Sequence, residues 1–489
     1  MIRTRFAPSP TGYVHIGSLR TALYNYLYAQ KEKGRYILRI EDTDQTRLVE
    51  GALENLVDCL THTGVVHDEG VFLEGGKVVQ RGDYGPYIQS ERLKIYEQYK
   101  QELIEKGSAY YCFCSKERLE KVREAQREKG QTPMYDGHCR HLSKDEVEER
   151  LSKGESAVLR LKVPEDENVQ FEDKVRGTIT IHSKEVDDQV LIKSDGFPTY
   201  HFAVVVDDHL MKISHVIRGE EWLPSTPKHV ILYEAFGWDK PTYVHLPNIL
   251  NKDKKKLSKR QGDVAVEDFL RKGYLPEALI NYIALLGCSP EDNKELFTMK
   301  ELIEAFDMTR VNKSGAVFDV EKLNWMNQIY LKEMDPQELL TLAKPYLLKS
   351  KHITEEDFDK NSEQMRLIVE TFVEKTETLA DFKREVDHLF DYNNELNEEM
   401  LAMLREESCE ILAREAAAKI EKLEEFSPES LKKVFKEIQK EHGIKGKKLF
   451  MPARIIITKQ MHGSDLMKSM TILGKEEVVR RFKNYTAMI

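Results

Sequence analysis

Two short segments carry residue types that can handle a nucleotide. The first reads Ala7-Pro8-Ser9-Pro10-Thr11-Gly12-Tyr13-Val14-His15-Ile16-Gly17-Ser18, between a strand-like run and a helical one. A turn that opens a helix exposes N–H groups and the positive end of the helix dipole, and both attract phosphate. Gly17 lets a ligand approach the backbone, and His15 can donate a hydrogen bond to a phosphate oxygen. Taken alone, the same segment is a Pro/Gly turn with an N-capping serine and a surface histidine. The second segment is Lys256-Leu257-Ser258-Lys259-Arg260, the end of a basic run that begins at Lys252. A loop with paired cations can close over a triphosphate and neutralise charge that develops during attack on the α-phosphorus. Alone, it is a solvated basic loop. As a pair in this order, one after the first strand and one after the second half of an interrupted sheet, the two are far more specific.

A third constellation is Cys112-Phe113-Cys114 followed by Cys139-Arg140-His141. Three thiols and an imidazole make a complete tetrahedral zinc set with no open position, which predicts one structural Zn²⁺ through Cys112, Cys114, Cys139 and His141. Cys59, Cys288 and Cys409 stand apart, and six cysteines in 489 residues are too sparse for an exported disulfide framework. The reducing cytoplasm is the expected compartment. No run approaches the ~20 apolar residues that span a bilayer, and no signal peptide is expected.

The net charge of −10 gives nucleic-acid binding no support by itself, although a large chain can gather its cations on one face. Lys432, Lys433, Lys436, Lys440, Lys445, Lys447 and Lys448 form such a local patch. The elements that must position the motifs follow from periodicity. Ile2–Ala7 reads as a strand and Ser18 onward as a helix, with Leu19, Ala22, Leu23, Tyr26 and Leu27 at helical spacing. Gly34 stops the helix and Tyr36–Ile40 returns as a strand, a βαβ unit that predicts a parallel sheet. A second block runs from Thr199 to Leu250. There Ala203–Val206 and Val216–Ile217 read as strands and Pro227–Phe236 as a helix. The charged segment between the blocks reads as an insertion. Beyond about residue 265 helical patterns dominate, with breaks at Pro290, Pro336 and Ser427-Pro428.

The motif pair resembles the two ATP signatures of class I aminoacyl-tRNA synthetases, His-Ile-Gly-His and Lys-Met-Ser-Lys-Ser. Ser18 stands where the second histidine would be, Leu257 replaces the methionine and Arg260 the final serine. With Arg5-Phe6-Ala7-Pro8-Ser9-Pro10-Thr11-Gly12 and Arg39-Ile40-Glu41-Asp42-Thr43-Asp44, these departures are similar to the glutamate branch, the bacterial-type glutamyl-tRNA synthetases.

The resemblance implies an α/β then all-α chain: an interrupted Rossmann-like parallel sheet with an inserted acceptor-binding domain, then a helical anticodon-binding half. It places the catalytic domain at 1–100 and 196–250, the insertion with its zinc knuckle at 101–195, a stem-contact helical domain with the lysine loop at 251–330, and the anticodon region at 331–489. The expected reaction is ATP-dependent activation of L-glutamate and transfer to the 3′ end of tRNA(Glu), with Mg²⁺ accompanying ATP. The expected form is a cytoplasmic monomer. His15 and Lys259 would be catalytic. ATP would meet His15, Gly17, Ser18, Glu221, Lys256, Leu257, Ser258, Lys259 and Arg260. Glutamate would meet Arg5, Ala7, Ser9, Glu41, Tyr200 and Arg218: an acid for its ammonium and guanidinium forks for its carboxylates. Val204 stands where some relatives carry asparagine, so no side-chain contact is expected there.

The other readings are a glutamate enzyme that also charges tRNA(Gln), a glutamine-charging enzyme of the same class, a small-molecule nucleotidyltransferase, and a zinc-containing RNA-binding protein. Arg218 and the Lys-Leu-Ser-Lys-Arg form disfavour the glutamine enzyme. The long helical half and the lysine loop disfavour the last two.

Overall fold

Strand β1 (Arg3–Phe6) is buried along its whole length. It pairs in parallel with β2 (Arg35–Leu38), with Arg5 opposite Ile37. Parallel partners need a crossover, and the helix Ile16–Lys31 supplies it, burying Ile16, Leu19, Ala22, Leu23 and Leu27. β2 pairs in parallel with β3 (Glu69–Glu74), which returns as antiparallel β4 (Lys77–Arg81). This is a computed structural model, and it describes residues 1–257 and 264–489.

The segment between the two βαβ blocks holds two small β systems. Strands β5 (Ala109–Cys112), β6 (Val158–Leu161) and β9 (Val190–Ile192) form an antiparallel sheet. β7 (Asn168–Asp173) and β8 (Gly177–His182) form a hairpin. That hairpin does not stay within the inserted segment. β7 joins the sheet of the second block through one parallel pairing, Asp173 opposite Tyr243.

The second block contains β10 (His215–Gly219) and β11 (Thr242–Leu246), a parallel pair linked by the helix Thr226–Phe236. β10 lies beside β1, where Ser214 N–H donates to the Arg3 carbonyl at 3.0 Å. The two sheets thereby meet edge to edge at β1 and β10. Short strands β12 (Ile249–Leu250) and β13 (Ala316–Val317) pair in parallel below it.

One expected strand is a helix. Ala203–Val206 lies inside the helix Tyr200–Leu210, in which Phe202 through Asp208 are all buried. A helix buried on every side loses its polar stripe and reads as an unbroken apolar run, the same signature as a buried strand.

Two compact units emerge: Met1–Phe269 with Leu279–Asp319, and Leu270–Ala278 with Val320–Ile489. The second is helical and closes on its own core of leucine, isoleucine, valine and phenylalanine. Pro336 and Pro428 open the helices Pro336–Leu347 and Pro428–His442, where a missing N–H does no harm. Pro290 lies in a loop. In Pro428–His442 the residues Leu431, Val434, Phe435 and Ile438 face the core, while Lys432, Lys433, Lys436 and Lys440 are exposed. Lys445, Lys447 and Lys448 are exposed as well, so the lysine patch is a solvent face. No described helix is long and apolar enough to cross a membrane.

Candidate functional site

A cleft of about 880 Å³ opens at the carboxyl ends of β1 and β10. These neighbours are the facing edge strands of two sheets, one of which runs on to β2 and the other to β11. Such an arrangement leaves a crevice where open parallel sheets hold ligands. The cleft lining includes Arg5, Ala7, Ser9, His15, Gly17, Ser18, Glu41, Tyr200, Arg218, Glu221, Lys256 and Leu257. Every described residue expected to meet ATP or glutamate is therefore in one place. Ser258, Lys259 and Arg260 lie outside the described residues. Their flanks are at the cleft. Lys256 bridges to Leu250, and Ala265 bridges to His15, with Ile16 N–H donating to the Val264 carbonyl at 2.9 Å.

On the ATP side, the helix begins at Ile16, and the cap is His15 rather than Ser18. His15 Nδ1 accepts from Gly17 N–H at 2.9 Å, which leaves Nε2 to carry the proton of the neutral ring as a donor. A Cβ on Gly17 would come within 3.2 Å of that Nδ1. The glycine thus protects the cap as well as the approach of a ligand. Arg20 also lines this part of the cleft, with its guanidinium held by the Leu286 and Pro247 carbonyls.

On the opposite side lies a buried set of charges. Arg5 donates Nε and Nη2 to Asp208 at 3.0 and 3.1 Å. Arg39, fully buried, donates to Asp208 at 2.7 Å and to Glu41 at 2.9 Å. Arg92 Nε reaches Asp207 at 2.7 Å. Three arginines thus face three carboxylates. Burial holds the Glu41 carboxyl above its usual range, with Arg39 and Arg5 pulling the other way. An ammonium brought against Glu41 would stabilise its ionised form.

Arg218 is different. It is 5 % exposed. Its Nε donates to His245 Nε2 at 3.1 Å, Nη1 to Tyr200 Oη at 3.1 Å and His229 Nδ1 at 3.3 Å, and Nη2 to Thr226 Oγ1 at 2.9 Å. Among the described residues no carboxylate forms an ion pair with it. The histidines around it are kept neutral: burial, then the Arg218 charge, holds His229 well below its usual range, and burial holds His201 down at about 4. Four of the five guanidinium donors are spent on uncharged acceptors, so an anion in the cleft would meet an uncompensated cation. Sequence reasoning named Arg218 and missed its supports Asp173, His229 and His245, which stand far from it in the sequence and belong to no motif.

The cysteine cluster gathers only in part as expected. Cys112, Cys114 and Cys139 come together as free thiols whose sulfurs lie within 4.8 Å of one another. His141 is exposed and is not one of that group. The fourth polar group against the thiols is the Tyr135 hydroxyl, which accepts from Cys112 Sγ at 3.3 Å and lies 3.5 Å from Cys114 Sγ. Its ring is covered at 3.9 Å by the Arg160 guanidinium. The Cys-x-His spacing puts both residues on one short turn, Cys139 facing inward and His141 outward. Three thiols and a phenol oxygen still suit a thiophilic tetrahedral ion such as zinc.

Comparison with known proteins gives a consistent result. Residues 1–325 match the family model described as tRNA synthetases class I (E and Q), catalytic domain, and residues 338–486 match that of an anticodon binding domain. A glutamate–tRNA ligase of Clostridioides difficile is 58 % identical over 482 residues, covering 98 % of each chain. One from Bacillus subtilis is 44 % identical and covers 99 % of each. The crystal structure of a glutamate tRNA ligase from Elizabethkingia meningosepticum, in complex with its amino acid, superimposes with a TM-score of 0.88. It is 36 % identical, with 99 % of this chain and 98 % of that one covered.

Proposed function

The chain belongs to the class I tRNA synthetases of the E and Q type, and from that premise we propose that the cleft between β1 and β10 is where it works as a glutamate–tRNA ligase. The chemistry has two steps. An oxygen of the glutamate α-carboxylate attacks the α-phosphorus of ATP. The bond from that phosphorus to the bridging oxygen breaks, and pyrophosphate leaves with the bonding pair. In the second step a terminal ribose hydroxyl of tRNA attacks the acyl carbon and AMP departs. No covalent enzyme nucleophile is required, so the residues act by placing and stabilising charge.

The observation that carries the reading is Arg218, a buried cation at the cleft with uncharged partners. It is the group a γ-carboxylate needs, and glutamine's amide would turn N–H donors toward donors. Glu41 takes the ammonium. Arg5, already neutralised by Asp208, offers the α-carboxylate a weaker attraction. His15 Nε2 holds a phosphate oxygen next to the N-terminus of its helix, and Lys259 neutralises the departing pyrophosphate. Mg²⁺ bound with ATP supplies further charge neutralisation on the phosphates.

The domain limits given for the catalytic halves, the insertion, the stem-contact segment and the anticodon region belong to the same proposal. Zn²⁺ at Cys112, Cys114 and Cys139, with Tyr135 in the place first expected for His141, would fix the fold of the insertion. The exposed lysines from Lys432 to Lys448 would meet tRNA phosphates, contacts that position without specifying. ATP–pyrophosphate exchange with glutamate and with glutamine, with and without tRNA, tests the reading. Exchange that required glutamine, or ran equally well with either amino acid, would overturn it.

A further inference from the structure

Arg218 can read a carboxylate only if its planar fork is held at a fixed angle, and the support comes from an unexpected element. His245 is completely buried. Its Nδ1 stands 2.7 Å from Asp173 Oδ2, and its own backbone N–H donates to the same oxygen at 3.1 Å. The other carboxylate oxygen accepts from the N–H groups of Val175 and Arg176, both at 2.9 Å, and closes the turn between β7 and β8. Both oxygens of Asp173 are therefore surrounded by donors. The carboxylate forces the proton of the neutral imidazole onto Nδ1 and leaves the Nε2 lone pair facing Arg218 Nε at 3.1 Å. The opposite tautomer would set an N–H against an N–H.

We infer that Asp173 and His245 are a positioning pair for amino-acid selection: Asp173, carried on the β7–β8 hairpin of the inserted segment, fixes the His245 tautomer, and His245 Nε2 fixes the Arg218 fork against the substrate's side-chain carboxylate. The inference deepens the proposed function and rests on its assignment of Arg218. It predicts a distinctive kinetic pattern. The side-chain carboxylate is remote from the reacting α-carboxylate, so its contact is made equally in ground and transition states. Losing that contact raises KM and leaves kcat in place.

The test is ATP–pyrophosphate exchange by the full chain, with tRNA present, for glutamate and glutamine. His245→Asn keeps a polar group on the Asp173 side and removes the acceptor at Arg218. It should raise the glutamate KM about 10- to 100-fold, the scale of losing a hydrogen bond to a charged group, with kcat and the ATP KM held within about threefold. Glutamine use should fall much less, so the preference ratio narrows. Asp173→Asn should act alike, because one of its two oxygen positions becomes an NH₂ facing donors and the ring is released. His245→Gln, which can return an amide oxygen to the Nε2 position, should restore most of the ratio.

Should His245→Asn be too unstable to assay, Asp173→Asn and His245→Gln carry the same comparison. Equal losses for glutamate, glutamine and ATP, with no rescue by His245→Gln, would reduce the pair to a fold support and overturn the inference. Arg218→Gln separates the two levels. If it leaves the ratio unchanged, the assignment of Arg218 itself fails. If it narrows the ratio while His245→Asn does not, the positioning pair alone falls.

Discussion

Replacing Arg218 by glutamine removes the one charge on which selection of a carboxylate side chain depends. Arg218 is nearly inaccessible to water, and its neighbours Tyr200, Thr226, His229 and His245 offer uncharged acceptors. A γ-carboxylate entering the cleft therefore forms a desolvated ion pair. Removing one partner of such a pair costs about 2–5 kcal/mol, much of it from the charge left unpaired. At about 1.4 kcal/mol per factor of ten, kcat/KM for glutamate should fall at least about 30-fold in Arg218→Gln. Glutamine brings no charge to lose, and its amide could exchange hydrogen bonds with the new one. Its kcat/KM should change by less than about tenfold. The assay is ATP–pyrophosphate exchange with each amino acid in turn, accompanied by a melting curve, because the four acceptors lose their common donor. An equal fall in kcat/KM for both amino acids would show that Arg218 organises the site without reading the side chain, and selection would have to rest on Arg5 or elsewhere.

Lys259→Ala should cut adenylate formation by roughly 10²–10³-fold while glutamate binding changes little, the scale for losing one preorganised stabilising donor. Exchange above half of wild type would remove Lys259 from catalysis. Metal analysis should find one zinc per chain, lost in Cys112→Ser, weakened in Tyr135→Phe and kept in His141→Ala; loss of zinc in His141→Ala alone would reverse the choice of fourth ligand. Burial holds His67, His201 and His215 each at about 4, below the ~6.5 of an unfolded chain, so the unfolded state binds more protons between those values. Their stabilisation is complete above about pH 6.5 and is lost as pH falls toward 4. The melting temperature should drop across that window, and His201→Gln should shrink the drop. A melting temperature independent of pH there would refute the burial argument.

Much of the candidate site's lining was legible from local chemistry. A turn that opens a helix after a strand must expose N–H groups, so His15 and Gly17 could be placed together at such a turn from order alone, and both line the cleft. The βαβ pattern from Ile2 to Ile40 dictates parallel pairing, and β1 and β2 follow it. Pro336 and Pro428 open helices, at the position where a missing N–H does no harm. Ala203–Val206 was misread because a fully buried helix and a buried strand share one apolar signature.

What the sequence determined by itself was the set of groups bound to their own stretch of backbone: the turn that opens the first helix, the crossover, the paired cations and the cysteine pairs. Tertiary structure decided which distant polar residues meet. Asp208, 203 residues from Arg5, neutralises it. Tyr135 rather than His141 stands against the thiols. Asp173 reaches His245 across 72 residues, and through it Arg218. Periodicity reports which face of an element is buried, but a buried polar atom is satisfied by whatever partner the packed fold brings within about 3 Å, and sequence spacing carries no record of that distance.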